Sequence, residues 1–296
     1  MKIYNSTGEI KQIITPKAQL QLFHSLSTRP LLDFYHRWEN DKAINTLWFY
    51  AWSILSAKHT FPDCQFNLHT DNAGARLLEG LPYDNIITDL NQLNTHLNLF
   101  ASAKFAALAN ESLGAIHIDG DVILFMEQAK DMLDYEGKDV IIQNYESTYN
   151  KELALITPLM PNANKLFGQG SFCCGVVGIN NQTLKDAYIE SYWRYANIVK
   201  NNSELINDFM KMDPTILFDL LFEQSNLYTL CSNGNYAVKH LCRTLKNVIE
   251  LQHTGISHYM GRLKHKEDNI ARCKAAVKEM APEIYTRLEA AEMEGI

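Results

Sequence analysis

The chain has 296 residues, 46% of them apolar, and a formal net charge of −7 with no lysine- or arginine-rich block. That length and composition allow one large core or two small ones, and they argue against a nucleic-acid groove. No apolar run approaches transmembrane length, no secretory leader follows Met1, and six cysteines without paired or zinc-like spacing point to a reduced, cytoplasmic setting.

Residues 1–19 read as peripheral, with a turn at Thr7-Gly8-Glu9 between short extended pieces. Residues 20–26 read as the first core strand, followed by a loop over 27–30. Ile44, Leu47, Trp48, Ala51, Trp52 and Leu55 recur at helical spacing and predict a helix over 41–59 with a packed stripe. A strand over 64–69 leads to Asp71, which reads as the cap of a short helix through Leu78. Residues 83–87 form a third strand candidate. A helix follows over 99–110, with Phe100, Ala103, Ala107 and Leu108 inward. Lys104 lies on this helix and, taken alone, reads as a solvated surface lysine.

The run Ala115-Ile116-His117-Ile118-Asp119-Gly120-Asp121-Val122-Ile123-Leu124-Phe125 is the centre of the chain. Apolar residues before Asp119 fit a buried strand, and Val122–Phe125 re-enters the core. Asp119 and Asp121 then lie at a strand's carboxyl end, where ligands bind in open α/β sheets. Gly120 leaves the backbone open to close approach. Two adjacent carboxylates call for a partner charge, such as a divalent cation carrying phosphates; an ordinary Asp-capped turn is the alternative. Strand–helix alternation up to this point implies a mainly parallel, doubly wound α/β sheet flanked by helices.

Downstream, residues 139–143 form a strand leading into Asn144 and Glu146, and residues 147–168 read as an irregular insertion that shapes a binding site. Residues 172–179 form a strand with two glycines. Helices follow over 182–199 and 213–223, the second with Pro214 in its first turn. Residues 236–248 are mixed. His258-Tyr259-Met260-Gly261-Arg262-Leu263-Lys264 comes next, and a charged, alanine-rich helical tail, solvated and broken near Pro282, ends the chain.

Four of these features resemble GT-A fold glycosyltransferases, most closely the family 8 type and related bacterial proteins. Asp119-Gly120-Asp121 matches the DxD motif. Lys104 stands where relatives carry a basic residue facing the donor. Ser171–Asn180 is similar to the family's aromatic–Asn–small–Gly strand, with Cys173 in place of the Asn. His258-x-x-Gly261-x-x-Lys264 matches the late His-x-x-Gly-x-x-Lys pattern, while Asp213-Pro214 keeps half of a family Asp-Gln pair. The likeness spans about residues 20–265, giving a GT-A-like domain over 1–265 and a helical tail over 266–296.

The resemblance implies sugar transfer from a nucleotide sugar, of UDP type, to a glycan or lipid-linked acceptor, with retention favoured over inversion. Asp119, Asp121 and His258 would hold Mn²⁺ or Mg²⁺. Lys264, Gly261, Lys104 and Asp119 would contact the donor and its diphosphate. Asn144, Glu146 and Asp213 are candidates for catalytic, sugar or acceptor contacts, against ordinary turn and cap chemistry for each. No nucleic-acid partner is expected; contact with a membrane surface is compatible with a lipid-linked acceptor. Three other readings stay open at this point: a non-catalytic sugar-nucleotide-binding or degenerate protein, a DxD phosphohydrolase using Asp119 as nucleophile, and a sugar nucleotidyltransferase.

Overall fold

The computed structural model describes residues 2–4, 10–13, 19–28, 42–93, 99–213, 217–243 and 248–293. The expected turn at Thr7–Glu9, together with Arg29, Pro30 and Pro214, lies outside these residues. In chain order the first elements are β1 (Lys2–Tyr4), β2 (Ile10–Ile13), β3 (Gln21–Leu26), helix α1 (Lys42–Thr60), β4 (Gln65–Thr70), α2 (Asn72–Leu77), β5 (Asn85–Ile87) and α3 (Ser102–Asn110). Next come β6 (Ile116–Ile118), β7 (Val122–Leu124), α4 (Ala129–Met132), β8 (Val140–Glu146), α5 (Asn150–Ile156), α6 (Ala163–Phe167), β9 (Ser171–Ile179), α7 (Gln182–Asn201) and α8 (Ser203–Met212). A π-helical turn, Leu220–Ser225, precedes α9 (Asn226–Gly234) and β10 (Val238–His240). The chain then forms α10 (Val248–His253), β11 (Ile256–His258), a 3₁₀ turn (Gly261–His265), α11 (Glu267–Met280) and α12 (Pro282–Met293).

The expected α/β class holds. Seven strands form the central sheet in the order β10-β8-β9-β6-β3-β4-β5. Neighbours run parallel except at β9, which is antiparallel to both β8 and β6. Side chains alternate between the two faces, as the period of two requires. Leu22, Leu26, Ile116, Ile118, Ile141 and Val176 pack on one face with α1. Phe23, Val140, Ile142 and Val177 pack on the other with α3 and α7. Asp71 caps α2 as read, accepting the Gly74 amide at 2.8 Å.

Several local expectations change. Phe100 is 42% exposed, because α3 begins only at Ser102 and leaves it in the preceding turn. The span 147–168 is not irregular: it folds into α5 and α6, which bury Leu153, Ile156, Ala163 and Phe167. Asp213 ends α8 rather than beginning a helix. The last two helices are not a solvated pair either. Cys273, Val277, Ile284 and Leu288 are buried in the α1 side of the core, and Tyr285 packs its ring on Trp48 at 5.3 Å between centroids.

A buried polar cluster lies on one face of β4. His69 contacts Asp89 through Nδ1 at 2.8 Å and Glu111 through Nε2 at 2.9 Å, and Asn67 donates to the same Glu111 oxygen at 2.7 Å. Burial opposes the charged imidazole, but the Glu111 and Asp89 bonds outweigh it and raise the His69 pKa above its ordinary 6.5. Burial likewise opposes the Glu111 carboxylate, and His69 with Asn67 outweighs it, lowering that pKa from 4.5. The His69 contribution to stability is therefore complete below pH 6.5 and fades as pH rises through the raised value. Glu111 contributes above pH 4.5 and fades as pH falls through its lowered value. His69→Gln should accordingly cost most Tm between those two limits and less in alkali. Melting curves of both proteins from pH 4 to 9 check this; a Tm difference constant with pH rejects it.

Candidate functional site

Strand β6 ends at Ile118, but its pairing with β9 runs one residue further. The Asp119 amide donates to the Gly175 carbonyl at 2.8 Å, and the Val122 amide donates back to the Asp119 carbonyl at 2.9 Å. Asp119-Gly120-Asp121 is thus a tight turn at the sheet's carboxyl edge, where the sequence puts it. The open face at Gly120 receives Tyr50 of α1, not a ligand. A Cβ there would lie 2.2 Å from the Tyr50 ring, whose hydroxyl donates to the Ser25 carbonyl at 2.7 Å.

Strand β11 brings the distant His258 to this turn. It pairs antiparallel with β7, His258 opposite Val122, and the Tyr259 amide donates to the Asp121 carbonyl at 2.9 Å. That register fixes His258 beside Asp121 across 137 positions of sequence, with Nε2 at 3.2 Å from Asp121 Oδ1. Its Nδ1 lies 2.7 Å from Gln143 Oε1, and Gln143 Nε2 donates to Asn144 Oδ1 at 3.1 Å. A carbonyl oxygen can only accept, so Nδ1 carries a proton toward Gln143, and Nε2 is left facing Asp121. Gly175 leaves the ring its space: a Cβ there would lie 2.3 Å from His258 Cε1.

Lys264, on the 3₁₀ turn, donates to Asp121 Oδ2 at 2.9 Å. Burial alone would raise the Asp121 pKa; Lys264 and His258 together outweigh it and hold the carboxyl well below the usual range. The turn is steadied by Tyr259, whose ring lies against Phe49 and Trp52 of α1 at 5.1 and 5.5 Å. Gly261 begins the turn with φ 54°, a left-handed conformation that favours glycine, and open space surrounds its missing Cβ.

Lys104 is buried, not solvated. Its ammonium lies 2.9 Å from Asp119 Oδ1 and 2.5 Å from Glu223 Oε1, and donates to the Cys174 carbonyl at 3.0 Å. Burial disfavours its charge, but Asp119 and Glu223 overcome this and raise its pKa well above the ordinary lysine value. Beside it, Asp219 accepts the Ala101 amide and the Tyr192 hydroxyl; burial pushes that carboxyl up to about 8. Asp219 and Glu223 are four apart in an apolar stretch, and the π-helical turn aims Glu223 at Lys104.

The structure thus gathers Asp119, Asp121, His258, Lys104 and Lys264. Asn144 sits behind Gln143 and reaches the cluster through it. Glu146 accepts from the Tyr149 hydroxyl, which also bonds Gln224 beside Glu223. Asp213 is placed differently: half-buried at the end of α8, it pairs with Lys151 of α5. Gln143 and Glu223 are the members that the sequence reading missed. The signal for Glu223 is a carboxylate inside Leu220-Leu221-Phe222-Glu223, a run too apolar to be a solvated face.

One ligand atom each from Asp119, Asp121 and His258 lies within 4.8 Å of the other two. Metal–ligand bonds of about 2.0–2.3 Å span donors up to about 4.5 Å apart, so a divalent cation fits after small shifts. Two carboxylates and an imidazole whose Nε2 faces one of them form a donor set for such an ion.

Residues 20–291 match a family of unknown function, DUF6734. The chain belongs to that family. No curated protein matches the chain in sequence. Among solved structures, the DUF6734 protein is similar to the WbbM bifunctional glycosyltransferase: 9% identity, TM-score 0.47, 93% of this chain and 53% of that one. It thus spans about half the length of WbbM. It is also similar to the galactosyltransferase LgtC solved with donor and acceptor sugar analogues: 14% identity, TM-score 0.42, 88% and 96% coverage. A third is the inositol-1-phosphate CTP transferase of T. maritima: 11% identity, TM-score 0.42, 89% and 98% coverage. No helix among the described residues is long and apolar enough to cross a membrane.

Proposed function

We propose that this DUF6734 protein is a metal-dependent glycosyltransferase that moves a sugar from a nucleotide sugar, of UDP type, to a glycan or lipid-linked acceptor in the cytoplasm. One observation carries the reading: Asp119, Asp121 and His258 converge at a sheet's carboxyl edge, with Lys264 already bonded to Asp121. The order and spacing of the DxD and His-x-x-Gly-x-x-Lys motifs support it independently. Asp119, Asp121 and His258 would hold Mn²⁺ or Mg²⁺; when bound, the cation stabilises the charge that develops on a leaving diphosphate. Lys264 supplies a second positive charge to that diphosphate, and the 3₁₀ turn from Gly261 brings backbone beside it. Lys104 holds Asp119. Glu146 and Asn144 serve the sugar and acceptor, Asn144 by fixing Gln143 and so the setting of the His258 ring. Retention of anomeric configuration is the favoured outcome.

A panel of nucleotide sugars with Mn²⁺ tests the reading. The expected result is release of a nucleoside diphosphate that stops on adding a chelator. Phosphate release would instead identify a phosphohydrolase. A donor-dependent rise in Tm without turnover would identify a binding module.

Lys264→Ala should act in opposite directions on the two ligands. Loss of a charge-assisted contact should weaken UDP binding by about 10- to 150-fold. Binding of Mn²⁺ alone should hold or improve, because Lys264 no longer occupies Asp121 Oδ2. Calorimetric titration with each ligand reads both; unchanged UDP affinity rejects the role.

A further inference from the structure

We infer that His117 is a positioning residue for Asp119, holding one carboxylate oxygen so that the other serves the cation. The inference rests on the metal-site reading above.

His117 belongs to neither the DxD motif nor the cluster the sequence points to. It lies in the middle of β6, almost fully buried, with its ring edge-on to Phe23 at 5.1 Å. Its Nε2 lies 2.9 Å from Ser25 Oγ. Its Nδ1 is buried without a hydrogen-bond partner among the described residues, and it points at Asp119 Oδ1, 3.5 Å away. A buried ring nitrogen left unpaired is costly, so this arrangement needs a reason.

The geometry supplies one. Lys104 approaches the same atom, Asp119 Oδ1, at 2.9 Å. Both donors therefore converge on one oxygen, while no described hydrogen bond or ion pair uses Oδ2. A neutral imidazole carries one ring proton. With Ser25 Oγ donating to Nε2, that proton lies on Nδ1 and faces the carboxylate. The opposite tautomer would turn a lone pair toward a negative oxygen. A shift of Asp119 by a few tenths of an ångström closes the contact to hydrogen-bond length. Strand alternation explains why a histidine can do this: residues 117 and 119 share one face of the extended chain. Carboxylate ligands held by such an outer donor bind metal better than free ones, and losing that donor costs about 10- to 100-fold in metal affinity.

Two readouts independent of turnover test this. Mn²⁺ titration followed by the free-ion electron-spin signal is compared for wild type, His117→Phe and His117→Asn, with a melting curve of each. Asn places a donor near the Nδ1 position; Phe keeps the ring and removes it. Phe should weaken Mn²⁺ binding by about 10- to 100-fold, and Asn should restore most of it. Wild-type affinity in the Phe variant, or equal loss in both, overturns the proposal. Nitrogen-15 histidine spectra of the wild-type chain give the tautomer directly, even where the Phe variant does not fold. Nδ1–H that weakens or reverses in Asp119→Asn supports the proposal, and Nε2–H overturns it. A wild-type chain that shows the Nδ1–H tautomer yet binds no Mn²⁺ would retain His117 as the holder of Asp119 and remove the metal-site reading instead.

Discussion

Lys104→Met should destabilise the protein by about 3–5 kcal/mol, the largest effect expected of a single change at the site. The substitution keeps the length of the side chain but removes the ammonium between Glu223 and Asp119. Glu223 is then a buried carboxylate without its counter-charge, and burial already pushes its pKa upward against Lys104. Asp119 loses less, because it is about a third exposed and water can reach it. Lys104→Met/Glu223→Leu should recover most of the loss, since an apolar pair replaces an ion pair without leaving an orphan charge. Denaturant unfolding of the two single variants and the double variant checks this as a cycle. A double variant as unstable as the sum of the singles would show that Lys104 and Glu223 act separately.

Asp121→Asn should lower metal-dependent turnover by at least about 10³-fold, the several kcal/mol that a bound cation supplies. It should also cost stability, about 1–3 kcal/mol. A carboxylate at an exposed sheet edge would leave the fold untouched when lost. Asp121 is instead buried, and Lys264 and His258 both face it. Because its folded pKa is depressed, its contribution is present above the ordinary value of 3.8 and fades as pH falls toward the depressed one. The Tm gap between wild type and variant should therefore be widest near neutrality and close in acid. Full turnover in the variant would remove Asp121 from the metal site; a gap that widens in acid would contradict its pairing.

Much of this was legible from residue pattern alone. The apolar runs of β6 and β9, the stripe of Trp48 and its neighbours, and the cap at Asp71 each arise within a few residues, so a window of sequence contains the cause. The DxD turn is legible for the same reason. Lys104 is the opposite case. On a helix, a lysine reads as solvated unless its partners are visible, and Glu223 is 119 residues away. The π-helical turn that aims Glu223 carries no pattern distinct from an ordinary helix. Gln143 escapes notice because an amide in a strand reads as an edge residue. Its meaning comes from β11, which reaches the site only by pairing with β7. Within the last two helices, charged residues mask a narrow buried seam of Cys273, Val277, Ile284 and Leu288.

Helix α1 touches both sides of the site. Tyr50 lies under the DxD turn, while Phe49 and Trp52 hold Tyr259 at the start of the turn that bears Lys264. That turn runs directly into α11, and α11 and α12 pack back on α1. The distance from Asp121 to Lys264 is therefore gauged against one common beam rather than spanned across a joint. Insertions in loops that do not load this beam leave the gauge unchanged. Truncation after residue 265 would not trim an appendage: it would take away the buttress behind Lys264 and strip cover from Trp48. The dimension of the site belongs as much to the end of the chain as to the motif at its middle.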